Sequence, residues 1–180
     1  MLLRTISSYI ANKQIATDDY ESICLFGTTS FHSVWENICN AVFEDQRATP
    51  MGALQLPGNL SQNYDGSKSL ESVIAHPIWH GKKDDGTYFA KKAKTLNPDF
   101  LAVRKIDGEY KFIILDAKYY TPQLAENKKL TGQPELESIT KQYLYELAYR
   151  DFIESNGIKS VVNCFLFPTE EDFVRDGGYV

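Results

Sequence analysis

The chain has 180 residues, of which 43% are hydrophobic, so its length predicts one domain with a sizeable apolar core. Its net charge of −5 argues against a domain that binds nucleic acid through bulk positive charge alone. No apolar run approaches the ~20 residues of a membrane span, and the N-terminus lacks the long apolar segment of a secretion signal, which together predict a cytoplasmic protein without membrane contact.

The N-terminal stretch, residues 1–23, predicts a helix followed by a polar connector, because apolar side chains recur at helical spacing from Leu2 to Ile10. Residues 24–180 are predicted to form the main domain. The abrupt start, and a tail that resembles the beginning of another strand, suggest an excerpt from a longer chain. The cysteines are odd in number and far apart (Cys24, Cys39 and Cys164), which indicates free thiols in a reducing compartment and no zinc motif.

Residues 28–45 predict an amphipathic helix, with Thr28, Thr29 or Ser30 available to cap its first turn. Glu36 and His32 lie on its flank, where the pattern alone favours solvated side chains. The predicted buried stripe comprises Phe31, Val34, Trp35, Ile38, Val42 and Phe43.

Residues 46–70 resemble an unusually long loop, which either faces a substrate or forms a flexible insertion. Two short strands, Val73–Trp79 and Thr87–Ala93, are predicted after it and are joined by a turn at Asp85-Gly86. Five lysines and three aromatic residues lie in or beside these strands: Lys82, Lys83, Lys91, Lys92, Lys94, Trp79, Tyr88 and Phe89. They suit either contacts to a phosphate backbone or protection of an exposed sheet edge, and the sequence leaves both open.

A β-hairpin is predicted from Phe100–Ile106 and Glu109–Tyr119, because Asp107-Gly108 tolerates the positive φ angles of a two-residue turn. The position of this turn fixes how the two strands pair. The same register places Asp99 opposite Asp116, with Cβ atoms about 5 Å apart.

Lys118 completes a charged cluster at the open end of this hairpin. It follows two residues after Asp116 and therefore projects from the same face. Two facing carboxylates repel each other unless a cation lies between them, and oxygen ligands of this kind suit Mg²⁺.

A second helix is predicted from Pro134 to about Asn156, with Gly157 as its C-cap. The predicted buried stripe comprises Leu136, Ile139, Tyr143 and Leu147. Lys141, Gln142 and Tyr145 cluster on a more polar side, which from the pattern alone indicates ordinary surface polarity.

The last predicted element is an apolar strand at Lys159–Phe167, expected to be central and buried. The order of elements predicts an α/β fold in which helices flank a mixed central sheet. The last strand is expected to return parallel to its predecessor through a right-handed crossover.

Several short motifs resemble one nuclease superfamily. Pro98-Asp99 followed by Asp116-Ala117-Lys118 resembles the PD-(D/E)xK signature of restriction-endonuclease-like nucleases. Glu36 matches the helical glutamate that often precedes this signature, and Lys141-Gln142 with Tyr145 resembles its substrate-facing polar positions. More narrowly, residues 26–36, 97–100 and 141–145 are similar to the LlaJI group of type II restriction endonucleases, which is akin to the nuclease component of McrBC systems.

This resemblance implies a restriction-endonuclease-like fold and a Mg²⁺-dependent DNA endonuclease of a restriction system, with Mn²⁺ as a substitute. It implies that Asp99, Asp116, Glu36 and the Ala117 carbonyl hold the metal. The implied catalytic residues are Asp99, Asp116, Lys118, Glu36 and Gln142, and the implied DNA contacts are Lys91, Lys92, Lys94, Lys141 and Tyr145.

The resemblance also implies partners. Double-stranded DNA is the expected substrate, an AAA+ GTPase or ATPase motor is a candidate partner subunit, and a homodimer would place two active sites on two strands. Two other functions stay open at this point: a catalytically inactive DNA-binding or assembly module of the same fold, and a repair or recombination nuclease.

Overall fold

The computed structural model of the chain describes residues 31–124, 126–169 and 176–178. The elements in chain order are α1 (Phe31–Val42), β1 (Ile78–Lys82), β2 (Tyr88–Lys92), β3 (Phe100–Ile106), β4 (Glu109–Ala117), α2 (Leu136–Ser155) and β5 (Ser160–Leu166). Among these described residues, no helix is long and apolar enough to cross a membrane. The helix predicted before residue 24 and the capping residues predicted at 28–30 lie outside the described ranges.

Strands β3, β4 and β5 form a three-stranded mixed sheet in that order. The β3–β4 hairpin turns at Asp107 and Gly108, whose φ angles are 52° and 86°. Ile106 pairs with Glu109, so the predicted turn and register are confirmed. Strand β5 returns parallel to β4 after α2, as the α/β prediction required.

The prediction that β5 is central and buried is wrong for the described part of the chain. Strand β5 pairs there only with β4 and is half-buried along its whole length, so β4 is the central strand. An apolar run predicts a buried environment, but it carries no information about position within a sheet.

Helix α2 covers one face of the sheet and forms the main core with it. Phe112 and Ile114 of β4 are fully buried there, and the Phe112 and Tyr149 ring centroids lie 5.0 Å apart. Because side chains alternate along a strand, Asp116 projects toward the same side as Phe112 and Ile114. Helix α1 approaches the opposite face, where Phe43 contacts Phe100 with ring centroids 6.4 Å apart.

The buried face of α2 is not the predicted one. The buried side chains are Gln142, Tyr145, Tyr149, Phe152 and Ile153. Leu136, Tyr143 and Leu147 of the predicted stripe are 77%, 62% and 52% exposed. The helix carries apolar residues on two faces, and the face with the larger aromatic rings is the one that packs on the sheet.

This inversion predicts a large difference between two tyrosines of the same helix. Tyr149→Ala should lower the free energy of unfolding by about 3–5 kcal/mol, because Tyr149 is fully buried against Phe112. Tyr143→Ala, at an exposed position, should stay within about 0.5 kcal/mol of the wild type. Urea unfolding of both variants measures the difference, and equal losses would contradict the observed orientation of α2.

Helix α1 is partly buried along the middle of the predicted stripe, at Val34, Trp35 and Ile38, and not at the ends of that stripe. Its most buried side chain is Cys39, whereas Phe31, Val42 and Phe43 are 46%, 63% and 38% exposed. The helix ends at Val42 because Glu44 takes a left-handed φ of 57°. Glu36, about one helical turn before the buried Cys39, is half-buried.

The long segment at residues 46–70 is part of the core and not a flexible insertion. Its Met51, Leu54 and Leu70 are buried in the main apolar cluster. Gly52 donates a backbone hydrogen bond to Gly66 at 2.9 Å. A side chain on Gly52 would crowd the Gly66 carbonyl, so the two glycines allow this close approach.

Strands β1 and β2 form a separate antiparallel ribbon, here called the basic ribbon (residues 78–92). Its first strand begins at Ile78, five residues later than predicted, because Leu70–Val73 form a 3-10 turn and Pro77 lies just before the ladder. Its second strand falls within the predicted range.

Candidate active site

The site is built at the end of β4, where Asp116 and Lys118 lie side by side. Asp116 is only 7% exposed. Lys118 Nζ lies 2.5 Å from Asp116 Oδ2, although that oxygen makes no hydrogen bond of regular geometry. The Lys118 backbone N–H donates to Leu166 of β5 at 2.9 Å, which extends the parallel pairing and fixes the direction of the lysine.

Asp99 reaches the same place from the start of β3. The ladder pairs Phe100 with Leu115, so the next position places Asp99 beside Asp116. The Ala117 backbone N–H donates to Asp99 Oδ2 at 3.0 Å, which ties this carboxylate to the end of β4. The hairpin register therefore brings together the two aspartates and the lysine that the sequence singled out.

The electrostatics of Asp99 are those of a carboxylate crowded by other carboxylates. Burial, together with the charges of Asp116 and Glu36, raises its pKa to about 6. The hydrogen bond from Ala117 and the charge of Lys118 act in the opposite direction. At neutral pH the site therefore holds a costly negative charge that a bound cation would stabilise.

Glu36 lies near this pair without a hydrogen bond or ion pair to it. Its charge contributes to the raised pKa of both Asp99 and Cys39. The start of α1 is held against the end of β4 by the stacked rings of Phe31 and Tyr119, whose centroids are 4.7 Å apart. The structure therefore places Glu36 on the side of α1 nearest the site and not on a fully solvated flank.

A clamp of three polar residues holds the backbone around Asp99. Arg47 Nη1 donates to the Pro98 carbonyl, and Arg47 Nε pairs with Asp45, each at 2.9 Å. Asp45 Oδ1 accepts from the Leu101 N–H at 3.1 Å. With its amide oriented to satisfy both neighbours, Asn40 donates to the Asp99 carbonyl at 3.0 Å and accepts from Arg47 Nη2 at 2.9 Å.

No local sequence pattern indicates this clamp, because its contacts to Pro98 and Leu101 join residues about fifty positions apart along the chain. Arg47→Ala should lower the free energy of unfolding by about 2–3 kcal/mol, since it leaves the Pro98 carbonyl and the Asn40 side-chain oxygen without their hydrogen-bond donor. Any DNA cleavage should fall by at least about tenfold, because Asp99 would lose its fixed position. Arg150→Ala, at an exposed position on α2, is the control and should change neither quantity.

Helix α2 contributes two buried polar side chains. The Tyr145 hydroxyl donates to the Asn97 carbonyl at 3.2 Å, and burial together with Asp116 and Asp99 raises its pKa to about 12. Gln142 is 6% exposed, and neither end of its amide has a hydrogen-bond partner. Tyr145, which the sequence predicts to contact DNA, is 5% exposed, and its hydroxyl supports the loop that carries Asp99.

Lys141 is exposed to solvent, whereas Gln142 and Tyr145 of the same helix are buried. Its Nζ lies 2.6 Å from Glu137, one turn earlier on the helix. The structure therefore separates Lys141 from its neighbour Gln142. Lys91 and Lys92 in the basic ribbon, and Lys94 just after it, are likewise exposed.

A cleft of about 390 Å³ opens beside Lys118. It is lined by His32, Lys118, Tyr120, Gly132, Gln133, Glu135, Glu137 and Ser138. Lys118 thus contacts Asp116 and also lines this cleft, where a substrate phosphate could approach.

The donor set fits Mg²⁺ only if the protein supplies part of the coordination shell. Among the described residues, no three His, Cys, Asp or Glu side chains are grouped closely enough to hold a metal by themselves. Mg²⁺ commonly binds through one or two carboxylates and completes its shell with water and substrate phosphate. The buried Asp116 Oδ2 without a regular hydrogen bond, and the repulsion at Asp99, fit such a partial site.

Comparisons with known proteins agree on one family. The family model described as LlaJI restriction endonuclease matches residues 1–175. The chain is 32% identical over 168 residues to the "Type II restriction enzyme BsuMI component YdjA" of Bacillus subtilis strain 168. That match covers 93% of this chain and 30% of the relative, so the chain spans less than a third of the relative's length. No solved structure shows a significant match.

Proposed function

This chain belongs to the LlaJI restriction endonuclease family, and from that premise we propose that it is the Mg²⁺-dependent nuclease part of a DNA restriction system. The observation that carries the proposal is the pair of crowded carboxylates, Asp99 and Asp116, at the open end of one hairpin. Lys118 beside them supplies the positive charge that phosphodiester hydrolysis needs near the phosphate.

Asp99 and Asp116 would hold Mg²⁺ through their carboxylate oxygens, with the Ala117 carbonyl as a further ligand and Glu36 binding directly or through water. Mn²⁺ would substitute, since it accepts the same oxygen donors. When bound, the ion would polarise the scissile phosphate and activate a water molecule for attack.

Lys118 has two partners in this account. Without metal it neutralises Asp116 across 2.5 Å. With Asp116 engaged as a metal ligand, the Lys118 ammonium would be free to turn toward the cleft, where it would orient the attacking water and balance charge on the phosphoryl oxygens. Its compact, rotatable head suits this exchange better than a planar guanidinium would.

The remaining polar residues have supporting roles. Gln142, buried with an unpartnered amide, would position Lys118 or the phosphate. Lys91, Lys92, Lys94 and Lys141 are exposed and would contact backbone phosphates of double-stranded DNA. Tyr145 would act indirectly, by holding the Asn97 carbonyl and thus the loop that carries Asp99.

Partners are proposals as well. The named relative is a component of a restriction enzyme, which supports assembly with other subunits. An AAA+ GTPase or ATPase motor would fit the kinship with McrBC-type systems, and a homodimer would supply a second active site for the second strand.

One observation favours a second candidate, a catalytically inactive DNA-binding module. Within the described residues no complete side-chain metal group is assembled, and Lys118 already neutralises Asp116. A repair or recombination nuclease of the same fold is the third candidate.

The test is DNA hydrolysis by the purified chain with Mg²⁺, with EDTA as the blank, on duplex, methylated, branched and single-stranded substrates. Cleavage of duplex DNA supports the restriction proposal, whereas preference for branched or single-stranded DNA favours a repair enzyme. If no cleavage appears, the assay is repeated with the subunits encoded beside it. Absence of cleavage in the complete assembly would favour the inactive module.

A further inference from the structure

The basic ribbon is exposed on both of its faces and joins no larger sheet in the part of the chain that the structure describes. Trp79 and Tyr88 are each 71% exposed at its surface. A two-stranded ribbon alone is marginally stable in water, and clustered exposed rings mark surfaces that meet a partner. The ribbon therefore has the features of a surface that binds another molecule.

The net charge of the ribbon indicates the kind of molecule that it binds. Five lysines and two aspartates lie between residues 78 and 94, so this segment carries a net charge of +3 within a chain of net charge −5. A positive projection on an acidic protein is complementary to a polyanion. Double-stranded DNA is the polyanion that the proposed function supplies, and the inference rests on that function.

The pairing register assigns different chemistry to the two faces. Ile78 pairs with Lys92, His80 with Ala90 and Lys82 with Tyr88, and these six residues share one face, here called the His80 face. Lys82 and Lys92 mark its two ends, about 13 Å apart along the ribbon. His80 lies between them, and the small Ala90 opposite it leaves room for close approach.

The opposite face is apolar at its centre. Its Gly81 is paired with Phe89, and the Phe89 ring lies across the position that a Gly81 side chain would occupy. Trp79 continues this apolar surface beside Lys91. His80 at the centre of the ribbon and Tyr88 at its end therefore lie on the His80 face.

The root of the ribbon is fixed by hydrogen bonds and is joined to Asp99 by a short connector. Ala93 N–H donates to the Pro77 carbonyl at 2.9 Å, and His76 Nδ1 lies 2.8 Å from the Ala93 carbonyl. Six residues then lead to Asp99, a reach of at most about 21 Å. The Tyr145 and Arg47 side chains hold this connector at the Asn97 and Pro98 carbonyls. A duplex whose scissile phosphate lies at Asp99 is therefore within reach of the ribbon.

We propose that the basic ribbon enters the major groove of duplex DNA with its His80 face toward the base edges, so that Lys82 and Lys92 contact phosphates on opposite walls. The major groove is about 12 Å wide and accommodates a two-stranded ribbon, which matches the spacing of the two lysines. His80 and Tyr88 then read base edges, and the ribbon contributes to sequence preference as well as affinity.

The first measurement is the salt dependence of binding to a mixed-sequence duplex. Binding is monitored by fluorescence anisotropy in the absence of divalent metal. The double variant Lys82→Gln/Lys92→Gln should lower the slope of log K against log salt by about 2, because two phosphate contacts are lost. Lys128→Gln/Lys129→Gln removes the same charge from an exposed loop outside the ribbon and should leave the slope unchanged. Equal slopes for the two double variants overturn the proposal.

The second measurement separates groove entry from contact with the backbone alone. A duplex whose cytosines carry glucosylated 5-hydroxymethyl groups has the same phosphates but a filled major groove. Wild-type affinity for it should fall at least tenfold, and His80→Ala/Tyr88→Ala should show a smaller fall, because its contacts to the base edges are already lost. Wild-type binding that is indifferent to these groups overturns groove entry.

These outcomes are independent of catalysis. A chain that binds DNA through the ribbon but never cleaves it would refute the nuclease proposal and keep this one. If the His80→Ala/Tyr88→Ala variant cleaves DNA at the wild-type rate and at the same sites, the nuclease proposal is kept and the ribbon proposal is refuted.

Discussion

Replacement of Asp116 by asparagine is expected to lower the proposed Mg²⁺-dependent DNA cleavage by at least about 10³-fold, because the loss of a proposed metal ligand would remove several kcal/mol of transition-state stabilisation. The substitution preserves shape at a site that is 7% exposed, so the fold should persist. Loss of activity with an unchanged unfolding midpoint is the signature of a chemical role.

Asp151→Asn is the matched control for this experiment. It makes the same chemical change at an exposed carboxylate of α2, away from the hairpin. Cleavage by the Asp151 variant should equal that of the wild type. Asp116→Asn activity within about tenfold of that control would remove Asp116 from the mechanism.

Asp99→Asn is expected to abolish cleavage and, at the same time, to increase the stability of the folded protein. Cleavage should be lost as in the Asp116 variant, yet the metal-free protein should become more stable by about 1–2 kcal/mol at about pH 8. The reason is that Asp99 is half-buried beside Asp116 and Glu36, which with burial raise its pKa to about 6, and asparagine carries no charge to be repelled. The amide oxygen can still accept the hydrogen bond from Ala117.

The sign of the pH dependence follows from the direction of this shift. A carboxyl whose pKa is higher in the folded state binds its proton more tightly there, so its ionisation costs stability as pH rises from about 4 to about 6. The advantage of Asp99→Asn should therefore be absent near pH 4 and complete above about pH 6. Urea unfolding of both proteins across this range measures it, and a variant that is less stable at high pH would contradict the crowded-carboxylate account.

The hairpin could be predicted because its information is local. Asp107 and Gly108 both adopt positive φ, and that turn alone sets the pairing of every residue back to Asp99 and Asp116. The parallel return of β5 likewise follows from a strand, a helix and a strand in sequence. These two features carry most of the candidate site.

The rest depends on contacts that the sequence does not encode locally. Helix α2 has apolar residues on two faces, and only the sheet beneath it decides that Tyr145 and Tyr149 are buried while Tyr143 is exposed. This choice also buries Gln142, which surface polarity alone would leave in solvent. The Arg47 clamp could not be predicted from the sequence, because its partners lie in segments far apart along the chain.

The central claim is that Asp99 and Asp116 together form a divalent-metal site. Calorimetric titration with Mg²⁺ at about pH 8 tests it without any requirement for cleavage or partner subunits. The wild type and Asp151→Asn should show one saturable site, weaker below about pH 6 as Asp99 takes up its proton, and Asp99→Asn should show none. Saturable binding that survives Asp99→Asn unchanged, or no binding by the wild type, would contradict the account.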